Sequence, residues 1–254
     1  MTRPRDWDAR DYDRQATAVQ AWGRSLLDRL ELRGDEHVLD AGCGSGAVTA
    51  ELLERLPRGR VVAVDGSPAM VDQARAALAG DPRATVLLAD LVELELEAPV
   101  DVVFSSAVFH WIADHDRLFA RLRAALRPGG RLLAQCGGAG NVATVMDALA
   151  SLATERPYDA HLAGWDGPWN FATEPATRAR LEAAGFEAVE TSLHTEVVRP
   201  EDPAAFLRTM VLGSHLDPLP DSLRDPFVAA VAARLPDPLE LEYVRLTIRA
   251  RRPA

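Results

Sequence analysis

The residues best placed to do chemistry begin in the run His37-Val-Leu-Asp-Ala-Gly-Cys-Gly-Ser-Gly46, where a carboxylate is followed by three alternate glycines. Val38 and Leu39 read as buried strand, and Val48, Leu52, Leu53 and Leu56 recur at helical spacing, so the loop joins a strand to a helix. Gly42, Gly44 and Gly46 lack Cβ, which permits positive φ and leaves room for a ligand over the helix N-terminus. Taken alone, such a turn can also serve only to pack helix on strand.

A dinucleotide-binding turn has the spacing G-x-G-x-x-G and must welcome a pyrophosphate. Here the spacing is G-x-G-x-G, and Asp40, at the strand's carboxyl end, would repel one. The pattern suits a ligand bearing an ammonium group, with backbone N–H groups left for its carboxylate or hydroxyls. S-adenosylmethionine has that make-up: an α-amino acid, a sulfonium, then ribose and adenine.

Polar groups end three more candidate strands. Arg60-Val-Val-Ala-Val-Asp65 places an acid where it can accept from two ribose hydroxyls, and Ser67 with Pro68 starts the next helix. Thr85-Val-Leu-Leu-Ala-Asp90 ends in an acid that either accepts from the adenine amine, with Leu91 covering the ring, or caps a helix. Val100 to Ser105 runs into Ser106-Ala-Val-Phe-His-Trp111, so Ser105, Ser106, His110 and Trp111 follow a fourth strand end. His110 is read as an acceptor contact or general base, or as a hydrogen-bonded structural histidine.

The elements that must position these groups alternate strand with helix from His37 to Cys136, the pattern of right-handed crossovers and a parallel sheet. Ligands bind such sheets beyond the carboxyl ends of the strands. Asp114 is expected to cap a helix with Leu118, Leu122 and Leu126 inward, stopped by Pro128-Gly129-Gly130, before strand five at Arg131–Cys136. Ahead of the first strand, Val19, Trp22, Leu26, Leu27 and Leu30 mark an amphipathic helix ending near Gly34. Tyr12 and Gln15 precede it, either closing over the ligand or packing at the sheet edge.

Composition removes several classes. All 28 basic residues are arginine, so there is no Walker-type, Schiff-base or general-base lysine. A net charge of −10 argues against nucleic acid or an anionic membrane as partner. Cys43 and Cys136 make no disulfide framework and read as reduced residues of an intracellular, cytoplasmic protein. Met1 to Gln20 is polar and charged, so neither signal peptide nor membrane span is expected. His110 and His115 have no familiar metal spacing, and no metal is expected.

VLDAGCGSG, VVAVDGSP, LLAD, FSSAVFHW and LRPGG together resemble the class I S-adenosylmethionine-dependent methyltransferases. WDARDYDR, GGAGNVATV, PWNF and LEAAGF resemble the branch with the trans-aconitate and juvenile-hormone-acid methyltransferases. This implies an α/β, Rossmann-like, doubly wound seven-stranded sheet, its last strand antiparallel, in one domain over residues 1–254. Residues 35–136 would be the cofactor-binding core, 1–34 an N-terminal helical lid segment, 137–172 and 201–236 lid insertions, and 186–198 and 240–251 the final strands.

By the same resemblance, S-adenosylmethionine would be held by Tyr12, Gln15, Asp40, Gly42, Gly44, Gly46, Asp65, Gly66, Ser67, Met70, Asp90, Leu91, Ser105 and Ser106. Trp111 resembles the tryptophan that faces the acceptor in such enzymes, and His110 stands beside it. Read from the residues themselves, Asn141 and Arg208 are candidate polar partners of a small-molecule acid, or solvated or capping residues, and Trp165, Trp169 and Tyr243 are candidate apolar lining, or lid packing. Some acid-methylating relatives place a polar residue where this chain has Val19. The expected reaction is in-line O-methylation of a carboxylic acid, which needs no general base because the acceptor is already ionised. The alternatives are O-, N- or C-methylation of a natural product with His110 as base, or a non-catalytic cofactor-binding protein. A monomer or homodimer is expected.

Overall fold

The computed structural model of the protein describes residues 17–165 and 167–254, so Tyr12 and Gln15 lie outside the described residues. Helix α1 (Thr17–Leu27) leads into β1 (His37–Ala41), α2 (Ala47–Glu54), β2 (Arg60–Asp65), α3 (Pro68–Ala77), β3 (Ala84–Leu88), β4 (Val100–Ser106), α4 (His115–Ala125) and β5 (Leu126–Gly137). Helices α5 (Ala143–Leu152), α6 (Asp159–Leu162) and α7 (Glu174–Ala183) precede β6 (Glu187–Val198). Helix α8 (Pro203–Phe206), a π-helical turn at Leu207–Val211, α9 (Gly213–Leu216) and α10 (Asp221–Ala232) then lead to β7 (Leu241–Arg251).

The seven strands form one sheet in the order β3-β2-β1-β4-β5-β7-β6. Strands β1 to β5 are parallel, and β7 runs antiparallel to both β5 and β6. The period-two alternation of buried strands sorts side chains onto two faces. Val38, Val61, Ala63, Val102 and Phe104 pack under α1, α2 and α3 with Leu26, Leu52, Leu56 and Ala74. Leu39, Val64, Val103 and Leu132 pack under α4 and α7 with Leu118, Leu122 and Leu181. Each fully buried Leu contributes roughly 1.5–3 kcal/mol, so both faces are strongly specified.

A third apolar cluster lies outside the sheet. Val145, Leu149, Leu162, Phe206, Leu212, Phe227 and Val231 join α5, α6 and the 203–232 helices into a separate helical layer.

Two expected helix caps are present: Ser67 Oγ accepts from the Met70 N–H, and Asp114 Oδ1 from the Arg117 N–H. Two boundaries differ from the sequence reading. Helix α1 ends at Leu27 rather than near Gly34, because Arg29 and Leu30 switch to three-residue turns that close its last carbonyls. Helix α4 ends at Ala125, before the Pro128-Gly129-Gly130 stop, and β5 begins at Leu126.

Candidate active site

Past the carboxyl ends of the parallel strands, a cavity of about 980 Å³ runs from β3 and β2 across to β5 and β7. Gly42, Gly44, Asp65, Gly66, Ser67, Met70, Asp90, Leu91 and Ser106 line it, as do His110, Trp111, Asn141, Trp165 and Tyr243. These residues come from six strand ends and the helical layer, and the parallel topology brings them together.

The three glycines have different reasons to be glycine. At Gly42 (φ +88°) an added Cβ would overlap the Val108 side chain, and at Gly46 (φ +86°) it would sit 3.2 Å from Ala74 Cα. At Gly44 (φ +54°) it would meet no atom of the described residues within 4 Å. Gly42 and Gly44 both line the cavity, but of the three only Gly44 has open space beside it among the described residues, while Gly42 and Gly46 permit close packing.

Asp65 sits at the rim of this loop. One carboxylate oxygen accepts from the Gly44 N–H at 2.9 Å and the other from the Ser67 N–H at 2.9 Å. Burial raises its carboxyl above the ordinary carboxylate range, against the backbone N–H groups that hold it ionised. A carboxylate has about four acceptor sites, so it retains capacity toward the cavity. Asp90 makes no helix cap: its Oδ1 accepts from the Val92 N–H in a tight turn, and the residue faces the cavity.

Several expected contacts lie elsewhere. Asp40 shares a sheet face with Val38, so its carboxylate points under α2 and takes a 2.6 Å hydrogen bond from Thr49 Oγ1. Burial, opposed by that bond, pushes its pKa up to about 6. It does not line the cavity, and the repulsion first attributed to it acts from beneath the loop. Ser105 Oγ donates to the Ala41 carbonyl at 2.6 Å, tying β4 to β1. Gly46 lies on α3, and Trp169 stacks on Phe171 at 5.3 Å behind Trp111. Arg208 is half exposed and paired with Asp225 of α10, where solvent and a carboxylate spare its charge the cost of burial.

His110 lies in a short 3₁₀ turn, Phe109–Trp111, and lines the cavity. Its Nδ1 takes a hydrogen bond from the Gly137 N–H at 3.1 Å. A backbone N–H can only donate, so the neutral ring carries its proton on Nε2. Burial, with smaller contributions from the charges of Arg245 and His115, holds its pKa at about 3. His110 therefore offers an N–H donor at neutral pH rather than a base.

Arg245 was not anticipated. Because β7 is antiparallel, its first residues lie at the carboxyl end of β5, with Arg245 opposite Gly137. The side chain is 2% exposed and lines the cavity. Nη2 donates to Gln135 Oε1, Gln135 Nε2 donates to Thr247 Oγ1 at 2.9 Å, and Nη1 has no hydrogen-bond partner among the described residues. Trp22 of α1 lies over the guanidinium at 3.8 Å and meets Tyr243 at 5.1 Å. Burial lowers its pKa to about 10, which still leaves a cation at neutral pH.

Other reactive groups are quiet. The Cys136 thiol, in the same wall, is pushed up to about 12 by burial, and Cys43 is pushed up further. Among the described residues no group of three His, Cys, Asp or Glu side chains is disposed to hold a metal ion. Nor is any described helix long and apolar enough to cross a membrane.

A methyltransferase-domain family model matches residues 38–130. Trans-aconitate 2-methyltransferase of Acidovorax sp. (strain JS42) is 30% identical over 239 residues, covering 91% of this chain and 89% of that one. An uncharacterised methyltransferase of Schizosaccharomyces pombe is 33% identical over 71% of this chain and 70% of its own length. Among solved structures, an S-adenosylmethionine-dependent methyltransferase from Mesorhizobium loti aligns with a TM-score of 0.54 at 24% identity, over 90% of this chain and 96% of that one. A Haemonchus contortus phosphoethanolamine N-methyltransferase, in complex with S-adenosylhomocysteine, aligns at 0.63 and 20% identity; this chain spans about half of it, 53%. The fold, the open glycine loop and these relatives together make the chain an enzyme of the class I S-adenosylmethionine-dependent methyltransferases, near the trans-aconitate 2-methyltransferase branch.

Proposed function

We propose that the enzyme methylates a carboxylate oxygen of a small organic acid. The observation that carries this reading is the hydrogen bond from the Gly137 N–H to His110 Nδ1, which leaves the partly buried ring a donor and not a base. His161 and Asp217, the titratable groups of the lining on the helical-layer side, stand exposed at the rim, and His215 of that layer is buried against Trp165 and Trp169 outside the lining. An acceptor there must arrive already deprotonated, and a carboxylate does so at neutral pH. This disfavours the alternative in which His110 removes a proton from an alcohol or amine.

The residues of the cavity fit the cofactor. Among the described residues Gly44 leaves open space where its backbone faces the cavity, and Ser106 Oγ is buried there without a hydrogen-bond partner. Asp65 would accept from the ribose hydroxyls and Asp90 from the adenine amine, with Leu91 and Met70 as apolar cover. Both acids lie at the β2–β3 end, remote in strand order from Arg245 at the β5–β7 end, so the cavity is acidic where a nucleoside would lie and cationic where an acid would.

When bound, S-adenosylmethionine supplies a methyl group on sulfonium, and a carboxylate lone pair forms the new O–C bond as the C–S pair returns to sulfur, giving an ester and S-adenosylhomocysteine. The chain's own work is to align the acceptor, with His110 as donor, and to exclude water under α1 and the helical layer. Screening small acids, phenols and amines for S-adenosylhomocysteine release, with mass spectrometry of the product, tests the reading. Ester formation from acids supports it, and turnover confined to phenols or amines overturns it.

A further inference from the structure

We propose that Arg245 is the seat of the acceptor's carboxylate and that the acceptor carries a single negative group on an apolar body. This rests on the carboxylate reading above and sharpens it. Arg245 is a buried cation with no carboxylate within ion-pair distance among the described residues. Its one described hydrogen bond goes to the neutral Gln135 amide, and Nη1 has no partner. Glu196, opposite Tyr243 on the neighbouring strand and on the same face, gives its oxygens to Trp22 Nε1 and His194 Nε2; its charge offsets part of the cost of burying Arg245 from beyond ion-pair distance. A desolvated cation that has only a neighbouring charge and an aromatic face, and no ion-pair partner, is stabilised further when an anion binds it directly, and a guanidinium is shaped to take a carboxylate through two N–H groups.

The charge balance of the cavity limits how many anions it takes. The other arginine among its described lining residues, Arg117, is bridged to Glu93 near the β3 end. Trp22 and Tyr243 stand next to Arg245, and the rest of the lining toward the helical layer includes Trp111, Trp165 and Met210 with the neutral donors Asn141 and Ser214, while His161 and Asp217 stand at the rim. Trans-aconitate, named for several relatives, carries three carboxylates. Two of them would have neutral donors or aromatic rings and no second free arginine among the described lining to meet them, and a buried carboxylate without a cation is disfavoured. Aromatic walls instead favour an aryl or alkyl body.

The experiment measures kcat/KM by S-adenosylhomocysteine release, with phenylacetate and octanoate as monoacids, trans-aconitate as the tricarboxylate and 4-methylphenol as the neutral probe. The expected result is a preference of at least about tenfold for a monoacid over trans-aconitate. A preference for trans-aconitate overturns this inference and leaves the carboxylate reading standing; turnover of the phenol alone overturns both. Arg245→Gln should raise KM for the monoacid about 10–100-fold, with S-adenosylmethionine affinity held within twofold in calorimetry. An unchanged KM overturns the seat. In the unaltered enzyme with S-adenosylhomocysteine, phenylacetate should raise the melting temperature and 2-phenylethanol should not; equal shifts count against the seat whether or not the variant folds.

Discussion

The sharpest test of the glycine loop is one substitution made at two positions two residues apart. Gly44→Ala places a methyl where no atom of the described residues lies within 4 Å, at φ +54°. Its folding cost is the left-handed backbone alone, roughly 1–2 kcal/mol. For a chain of this size that is a melting-temperature drop of about 2–8 °C. The methyl projects into the space proposed for the cofactor, where overpacking of roughly 1–3 kcal/mol weakens binding about 5–150-fold. Gly42→Ala carries the same backbone penalty and also overlaps Val108, so it should lose about 2–5 kcal/mol of stability. Calorimetric titration with S-adenosylmethionine and thermal unfolding of both variants separate the effects. A folded Gly44→Ala protein that binds within twofold of the unaltered enzyme would refute the loop assignment. So would a Gly44→Ala protein as unstable as Gly42→Ala.

Asp65→Ala should weaken S-adenosylmethionine binding about 10–100-fold, since it removes the ribose acceptor and the carboxylate holding the Gly44 and Ser67 N–H groups; unchanged affinity in calorimetry counts against it. With His110 held near pKa 3, kcat/KM on an acid acceptor should stay flat from pH 5.5 to 8, and a limb near 6.5 that vanishes in His110→Gln would contradict the donor assignment. Asp40, raised from 3.8 to about 6, holds more protons folded than unfolded between those values. Its contribution to stability should therefore fall as pH rises through that window, by about 3 kcal/mol at most. Asp40→Asn should flatten that part of the urea-midpoint profile, and an unaltered slope would sink the argument.

Much of this architecture could be read in the chain because parallel strands buried on both faces advertise themselves as apolar runs. Their ends are the places where a polar residue interrupts, as at Asp65, Asp90 and Ser106. Which way a polar residue points is a separate matter. Asp40 keeps the parity of Val38 and so faces α2, a fact available from the period of the strand but outweighed by its place in the motif. Arg245 was hidden for a different reason. It recurs with Arg249 and Arg251 in a strand that looks uniformly polar on alternate residues, yet those two are exposed and Arg245 is buried. Its surroundings come from β5, β6 and α1, all distant in sequence, and the one local hint was Tyr243 two residues earlier on the same face. Arg208 misled because helical spacing does not disclose that Asp225 waits on the neighbouring helix.

The insertion of β7 between β5 and β6 has a consequence in time. A ribosome delivers β5 and then β6 before the strand that joins them exists. Through that interval β5 presents an open hydrogen-bonding edge, the kind of edge that recruits foreign strands. The segments holding Gly44, Asp65 and Asp90 have long since emerged, whereas Trp22, made early, must wait for Arg245 to rest upon. A chain halted near residue 240 would thus carry its nucleoside end without its acid end, and translation order alone defers the acceptor half to the final strand.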